Sequence, residues 1–327
     1  MTEQVPEQIP EHSGPSRRGA RAGVITLGAA AVAALVVVAI AVAANKADSP
    51  SGDGNGTIGG SPAAPSGDVI ARATILDDGT NGPQLCLGGV AESYPPQCGG
   101  PDVVGWDWDK VTGFDHANGV RWGEFVVTGT YDATAGTFTL TRPAVAAAAY
   151  DGNDLPTPGV EPVWNTPCPE PAGGWQVVDP ALTSQSSLEQ TMQAAQARAD
   201  FGGAWIDQSI NPAADGGVTS SNEGELNDPH HLILNIAVTG DPQAAEVELR
   251  KTWGGPLCVS KVQHTERELQ EIQNELSSQP GLLYSSSSND HVDVTVIWDD
   301  GSLQRQFDQQ YGTGTVVVSS ALQRVER

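Results

Sequence analysis

The four cysteines are the residues of this chain with the most specific chemistry. They are Cys86, Cys98, Cys168 and Cys258, and no two of them have the Cys-x-x-Cys spacing of zinc and thiol redox sites. Three pairings are open; the closure of Cys86 with Cys98 is the simplest, and it leaves Cys168 for Cys258. In an oxidising compartment we therefore expect two disulfides. One zinc ion bound by all four sulfur atoms is the alternative.

Two groups of aspartates and histidines are candidates for hydrolysis or metal binding, namely Asp228–His231 and Asp290–Asp293. A zinc site needs three or four converging ligands, and adjacent histidines of an extended strand point to opposite faces. We therefore interpret both groups as residues of solvated loops and strand edges. The sequence predicts no catalytic residue, no metal site and no cofactor.

Acidic and aromatic residues alternate between positions 102 and 122. A calcium loop needs oxygen ligands at positions 1, 3 and 5 and glycine at 6, whereas the fifth and sixth residues counted from Asp107 are valine and threonine. Trp106, Trp108 and Trp122 are candidate platforms for a sugar ring. In a small β domain such tryptophans are more typical of the core, which is how we interpret them.

The charge of the chain argues against a nucleic-acid-binding protein. Lys and Arg number 16, Asp and Glu number 40, and the formal net charge is −24. Binding to phosphate backbones needs clustered basic residues, so we predict no nucleic-acid partner. A strongly acidic domain stays well solvated and is repelled by anionic surfaces.

Residues Val24–Ala44 form an uncharged apolar run that follows three arginines within 17–21. About 20 such residues cross a bilayer as a helix, and the positive flank predicts a cytoplasmic N-terminus. We therefore expect a single-pass protein of the cell membrane, with the lipid bilayer contacted by 24–44 and the C-terminal domains outside the cytoplasm. A cleaved signal peptide, ending at the small residues Ala41–Ala43, is the alternative.

The composition divides the chain into six segments. Gly, Ser and Pro dominate the stretch after the apolar run, which predicts a disordered stalk, and a second stretch without basic residues is rich in proline. The predicted segments are a cytoplasmic tail (1–23), a transmembrane helix (24–44), the stalk (45–68), a small β domain (69–145), a Pro-rich linker (146–182) and an α/β domain (183–327).

The patterns within the two folded segments predict the fold class. In 69–145 two strands flank the turn 132–136 and helical periodicity is absent, which favours a twisted sheet or a partly closed barrel. In 183–327 the helix starts Asp241-Pro242 and Thr265 with Glu268 alternate with strands such as His291–Trp298. We therefore predict an α+β protein: a transmembrane helix, a small all-β domain, and a C-terminal α/β sandwich with helices on a mixed sheet.

Two stretches of sequence carry a resemblance to known proteins. They are Leu85-Cys86-Leu87-Gly88-Gly89 with the following Tyr94-Pro95-Pro96-Gln97-Cys98-Gly99-Gly100-Pro101 and Gly105-Trp106-Asp107-Trp108, and the later phrase Trp253-Gly254-Gly255-Pro256-Leu257-Cys258-Val259. This sequence resembles single-pass, membrane-anchored proteins of actinobacteria. The resemblance spans most of the exported part and implies relatives, but no chemistry.

A second resemblance covers residues 204–298. The order of Ala204-Trp205-Ile206-Asp207, the strand at 232–239, the helix at 266–278 and the strand at 292–297 is similar to the pro-segments of α-lytic-type secreted serine proteases. It implies an α/β scaffold and a role in binding a protein. The catalytic Gly-Asp-Ser-Gly stretch of those proteases is missing from this sequence.

These observations favour a non-enzymatic, membrane-anchored extracytoplasmic protein whose two domains bind or position a partner, such as a cell-envelope protein. Two alternatives remain. One is an exported hydrolase or metal-dependent enzyme that uses Asp228–His231 and Asp290–Asp293, and the other is a protease inhibitor or folding helper.

Overall fold

The computed structural model describes residues 64–152, 155, 165–216, 223–288 and 290–325. The predicted tail (1–23), the apolar segment 24–44 and all but the last residues of the stalk 45–68 lie outside this part. The membrane location and the bilayer contact that were predicted from 24–44 therefore stay predictions. In the part described, no helix is long and apolar enough to cross a membrane.

Residues 69–146 form a closed five-stranded barrel. The barrel closes because the first strand pairs with the second on one side and with the fifth on the other, in the order β1-β2-β3-β6-β5 and back to β1. All of these pairs are antiparallel except β3 with β6. The strands are β1 (Val69–Asp77), β2 (Pro83–Cys86), β3 (Asp102–Val104), β4 (Asp115–Ala117), β5 (Val120–Asp132), β6 (Thr137–Leu140) and β7 (Val145–Ala146), of which β4 and β7 pair with β5 outside the ring.

Side chains at every second position of β1 fill the interior of the barrel. Val69, Ala71, Ala73 and Ile75 are buried in one cluster with residues of β5, as expected for a strand with one face toward the core. The long strand β5 approaches β6 closely at Gly129, where a Cβ atom would lie 2.1 Å from the carbonyl oxygen of Thr139. Only glycine fits at that position without a backbone shift.

The C-terminal half consists of two consecutive α-β-β-α-β units, which we call unit A (184–261) and unit B (265–320). In each unit a helix precedes an antiparallel strand pair, and a second helix crosses over to a third strand parallel to the central one. Unit A contains α1 (Gln185–Gln196), β8 (Phe201–Asp207), α2 (Glu223–Leu226), β9 (Ile233–Val238), α3 (Pro242–Leu249) and β10 (Leu257–Lys261). Unit B contains α4 (Glu266–Leu276), β11 (Leu282–Ser288), β12 (His291–Val296), α5 (Ser302–Tyr311) and β13 (Val316–Ser320).

The two units match in detail. Both begin with a side-chain cap, Ser184 in one and Thr265 in the other, which accepts a hydrogen bond from the N–H three residues later. Both have an irregularity at the start of the first strand, between Phe201 and Gly203 in unit A and between Leu282 and Tyr284 in unit B. The two units differ most in the length of the connection between their first two strands, which is residues 208–232 in unit A and residues 289–290 in unit B.

The chain returns to the barrel at its end. Strand β14 (Gln323–Arg324) pairs with the start of β1, and Trp298 and Leu322 belong to the barrel's buried cluster. Trp298 of unit B and Leu322, which follows unit B, thus complete the core of the N-terminal barrel. The predicted domain boundaries did not anticipate this pairing, because it joins segments that are far apart in the sequence.

The predicted fold class is wrong in the form given above. The described residues hold no helix able to span a membrane. Sheet dominates them, and five α-helices accompany it. The β domain is a closed barrel, because β1 is long enough to pair with two strands, and not an open or partly closed sheet. The α/β sandwich on one mixed sheet is replaced by two three-stranded sheets, because each unit completes a sheet of its own.

Candidate functional site

The loop between β2 and β3 is closed by the first disulfide, Cys86–Cys98. Within it the Ala91 N–H donates to the carbonyl of Gln97 at 2.8 Å, and the Ser93 N–H donates to the carbonyl of Ala91 at 2.8 Å. The Ser93 hydroxyl donates to the carbonyl of Pro95 at 2.8 Å. These bonds and the covalent closure fix the shape of residues 87–97, which we call the disulfide loop.

Tyr94 lies at the exposed tip of the disulfide loop. It is the most exposed of the large hydrophobic residues in the described part, with 78% of its surface accessible. Its ring stands perpendicular to the ring of Trp122 in β5, with centroids 5.5 Å apart and an interplanar angle of 89°. This edge-to-face contact is a favourable geometry for two aromatic rings, and it holds the tyrosine in place while leaving it open to solvent.

A surface pocket of about 370 Å³ lies between the disulfide loop and the ends of β1, β2 and β5. This volume is within the range of ligand-binding pockets, and we call the space the Tyr94 pocket. Its walls combine apolar groups with neutral polar side chains and one carboxylate. The apolar residues are Leu76, Tyr94, Pro95, Pro96, Cys98 and Val120, and the polar residues are Asp78, Gln84, Ser93 and Gln97.

The charge of the Tyr94 pocket is negative. Asp78 accepts hydrogen bonds from the N–H groups of Thr80 and Asn81, both at 2.8 Å, and from the Asn81 side-chain amide at 2.9 Å. The bond from the Asn81 N–H is the main reason that the pKa of Asp78 lies below its usual value, so this carboxylate stays ionised. No lysine or arginine lines the pocket, which therefore disfavours an anionic ligand.

A polar network joins the adjoining ends of β1 and β5. The buried carboxylate of Asp77 accepts hydrogen bonds from Trp108 Nε1 at 2.8 Å and from Arg121 Nη2 at 2.9 Å. The Arg121 guanidinium also lies 5.2 Å from the Trp108 ring. Since Asp77 neutralises Arg121, this arginine adds little positive charge to the pocket beside it.

The structure places the three tryptophans of the β domain in different surroundings. Trp108 is 7% exposed and lies in the barrel core, and Trp106 packs against it with ring centroids 5.2 Å apart. Trp122 instead contacts the exposed Tyr94. Of the three tryptophans considered as platforms for a sugar ring, Trp106 and Trp108 thus pack in or against the core, and Trp122 packs against Tyr94 of the pocket.

The group Asp228–His231 lies in the segment between β8 and β9. Asp228 caps a short 3-10 helix by accepting the His230 N–H at 3.0 Å, and its two oxygens lie 2.9 Å from His230 Nδ1 and 3.1 Å from His231 Nδ1. The bond from the His230 N–H is the main cause of the lowered pKa of Asp228. All three side chains are more than a third exposed, so the carboxylate acts as a local cap within a solvated turn.

The residues of the group Asp290–Asp293 take part in separate interactions. Asp290 turns the chain between β11 and β12 with a φ of 74°, and its oxygens accept the N–H groups of Gln263 at 2.7 Å and His264 at 2.6 Å. His291 pairs with Asp293 at 3.3 Å. Across the described ranges no three His, Cys, Asp or Glu side chains are arranged to hold a metal ion.

The second disulfide, Cys168–Cys258, ties the segment before unit A to strand β10. Two residues earlier, Thr166 donates to the Asp207 carboxylate in β8 through its N–H at 3.0 Å and its hydroxyl at 2.7 Å. We call residues 165–168 the strap, since they join both edge strands of unit A. The prediction of two disulfides is confirmed, and the pairs are the two expected ones.

The sequence analysis does not predict the Tyr94 pocket, although Tyr94-Pro95-Pro96 belongs to one of the stretches that carry a resemblance. The available signal was an aromatic residue beside two prolines in a short loop closed by a disulfide. No family model and no curated protein matches this chain. The two resemblances drawn from the sequence therefore stay predictions.

Proposed function

We propose that this chain is a non-enzymatic, extracytoplasmic protein that binds a partner at the cell envelope, and that the partner occupies the Tyr94 pocket. The observation that carries the proposal is the 78% exposure of Tyr94 in a loop that is otherwise held firmly. A tyrosine contributes large contact area and a hydroxyl group for few rotatable bonds, and it is common at binding sites.

The rigidity of the disulfide loop supports a binding role. An unconstrained loop loses conformational entropy when it binds, which reduces the affinity. Here the Cys86–Cys98 bond, the hydrogen bonds of Ser93 and the contact of Tyr94 with Trp122 fix the loop beforehand. The Tyr94 pocket is thus preorganised.

Three further observations support the class of protein. Two disulfides are typical of a compartment outside the cytoplasm. The net charge of −24 disfavours nucleic acids and other polyanions as partners. The carboxylates of Asp228 and Asp290 bind main-chain N–H groups of their own surroundings, and none of the Asp–His residues lines the Tyr94 pocket.

Site-specific photocrosslinking in the producing cell tests this proposal. A benzophenone amino acid replaces Tyr94 in the full chain, and a matched variant carries it in place of Tyr284, which is 39% exposed in β11. We expect a covalent adduct from position 94 and much less from position 284. Equal labelling at both positions, or none at position 94, would contradict the proposal.

A further inference from the structure

We infer that the Tyr94 pocket takes a proline-rich polypeptide segment in the polyproline II conformation, with a basic residue beside the prolines. This inference rests on the proposed function and adds the chemical class of the ligand. It is argued from the shape of the pocket, from its hydrogen-bonding groups and from its charge.

The shape of the Tyr94 pocket suits pyrrolidine rings. The ring of Tyr94, which packs edge-to-face on Trp122, lines the pocket together with the apolar residues Pro95, Pro96 and Leu76. Proline-rich segments bind in grooves lined by aromatic residues, where their preformed extended helix costs little entropy on binding. A preorganised pocket with an apolar wall that is open at the surface can accept such a segment without rearranging.

The hydrogen-bonding groups of the pocket can serve the main-chain carbonyl oxygens of a polypeptide ligand. Both oxygens of Asp78 are used by its own turn, and Ser93 Oγ accepts from Gln97 Nε2 at 3.2 Å while donating to Pro95. The amide of the partly buried Gln84 and the hydroxyl of the exposed Tyr94 remain, and each of them can both donate and accept. A proline-rich segment presents carbonyl oxygens, to which both groups can donate, and few N–H groups that need an acceptor.

The charge of the pocket favours basic residues beside the prolines of the ligand. Asp78 is ionised, Glu92 lies exposed in the same loop, and no basic residue lines the pocket. The whole chain carries −24, so a cationic segment is attracted over a longer range and an anionic one is repelled. An arginine or lysine beside the prolines therefore adds to the affinity.

Titration of the purified full chain with synthetic peptides tests the inference, with binding followed by calorimetry. The probe is an oligoproline with an arginine at each end, and the comparison probes are a glycine-serine peptide with the same arginines, an oligoproline with glutamates at its ends, and a neutral glucan oligosaccharide. We expect the arginine-flanked oligoproline to bind best. The variant Tyr94→Ala should lower its affinity about tenfold or more, as for a hot-spot residue.

Two further variants separate the contributions. The variant Tyr94→Phe keeps the ring and removes only the hydroxyl donor, so its loss should be smaller than that of Tyr94→Ala. The variant Asp78→Asn should weaken the arginine-flanked peptide and leave an uncharged oligoproline unchanged. Tyr284→Ala is the matched control and should bind as the unmodified chain does.

The outcomes distinguish this inference from the proposed function. Binding of the glucan, but not of the oligoproline, with dependence on Tyr94 would overturn the ligand class and leave the binding site in place. Equal binding of the glycine-serine and proline peptides would overturn the inference in favour of simple charge attraction. Absence of peptide binding together with a photocrosslink at position 94 would also overturn the ligand class alone.

Discussion

Unit A and unit B place buried side chains at the same points of the same backbone. The central strand contributes Leu234 and Ile236 in unit A where unit B has Val292 and Val294, all of them fully or almost fully buried. The crossover helix that follows contributes Leu249 in unit A and Phe307 in unit B, which belong to the corresponding cores. The interior of this unit thus requires apolar side chains at fixed positions and accepts different shapes.

The opposite faces of the two sheets differ. In unit A the neighbouring residues Asn235 and Cys258 are 0% and 1% exposed, and Cys258 binds the strap. At the matching positions of unit B lie Asp293, whose side chain is 43% exposed, and Val317, which is 39% exposed. In both units the face of the sheet that packs against the helices thus forms the core, whereas the opposite face is covered in unit A and exposed in unit B.

The first prediction concerns the shared interior and has the largest expected effect. Phe307→Ala should lower the free energy of unfolding by about 3–5 kcal/mol and Leu249→Ala by about 2–5 kcal/mol, because each leaves a cavity in its core. Chemical denaturation measures both. Val247→Ala is the control, since Val247 lies on α3 and is 65% exposed, and it should change stability by less than about 0.5 kcal/mol. A loss below about 1 kcal/mol for Phe307→Ala would show that the two interiors are not equivalent.

The second prediction concerns the covered face of unit A. Replacing both Cys168 and Cys258 by serine should cost about 2–5 kcal/mol, because the disulfide closes a long loop and holds the strap. At the matching position of unit B, Val317→Ser should cost less than about 1 kcal/mol because Val317 is partly exposed. Denaturation under non-reducing conditions compares the variants. Similar losses at the two positions would mean that the strap adds nothing to unit A.

The duplicated unit also explains what could be predicted from the sequence. Local signals were readable: the caps at Asp241 and Thr265, and the alternation along His291–Trp298, correspond to α3, α4 and β12. The repeat was not recognised, because β9 reads as a continuous buried run and β12 as an alternating one. Equivalent strands thus have different patterns, since one has both faces covered and the other does not.

Strand β11 and the closure of the barrel could not be predicted from local sequence patterns, for related reasons. Strand β11 contains Ser285 and three further serines, which have no pattern typical of a strand, and its edge is supported by the Gln273 amide that donates to the Ser285 carbonyl at 3.0 Å. The barrel closes through β1 and β5, which are distant in sequence. The Tyr94 pocket depends on that closure, because Leu76 of β1 and Val120 of β5 both line it. Pairings of this kind are not specified by local periodicity.

The third prediction concerns the caps that begin the two units. Thr265→Ala should cost about 0.5–2 kcal/mol, and Ser184→Ala should cost less within the same range. The reason is that Thr265 takes part in a full capping box, in which Glu268 also binds the Thr265 N–H at 2.8 Å. Thr265→Ser keeps the hydroxyl and should retain most of the stability. Equal costs at the two caps would indicate that the Glu268 contact contributes little.

The last prediction concerns an ion pair that only one unit has, and its expected effect is the smallest. In unit A, Arg198 binds Asp200 through two hydrogen bonds of 2.9 and 3.0 Å; the matching residue of unit B is Gln279, in the same turn between helix and strand. The side-chain bond from Arg198 is the main reason that the pKa of Asp200 is lowered.

A carboxylate with a lowered folded-state pKa stabilises the protein above its unfolded pKa of about 3.9, and this stabilisation is lost as the pH falls through the folded-state value. Arg198→Gln, which copies unit B, should therefore cost about 0.2–1 kcal/mol at neutral pH and nothing at a pH below both values. Denaturation midpoints measured across this range compare the variant with the unmodified chain, and Asp200→Asn should give the same pH dependence. A difference that persists undiminished in acid would assign the effect to packing of the arginine stem and not to the ion pair.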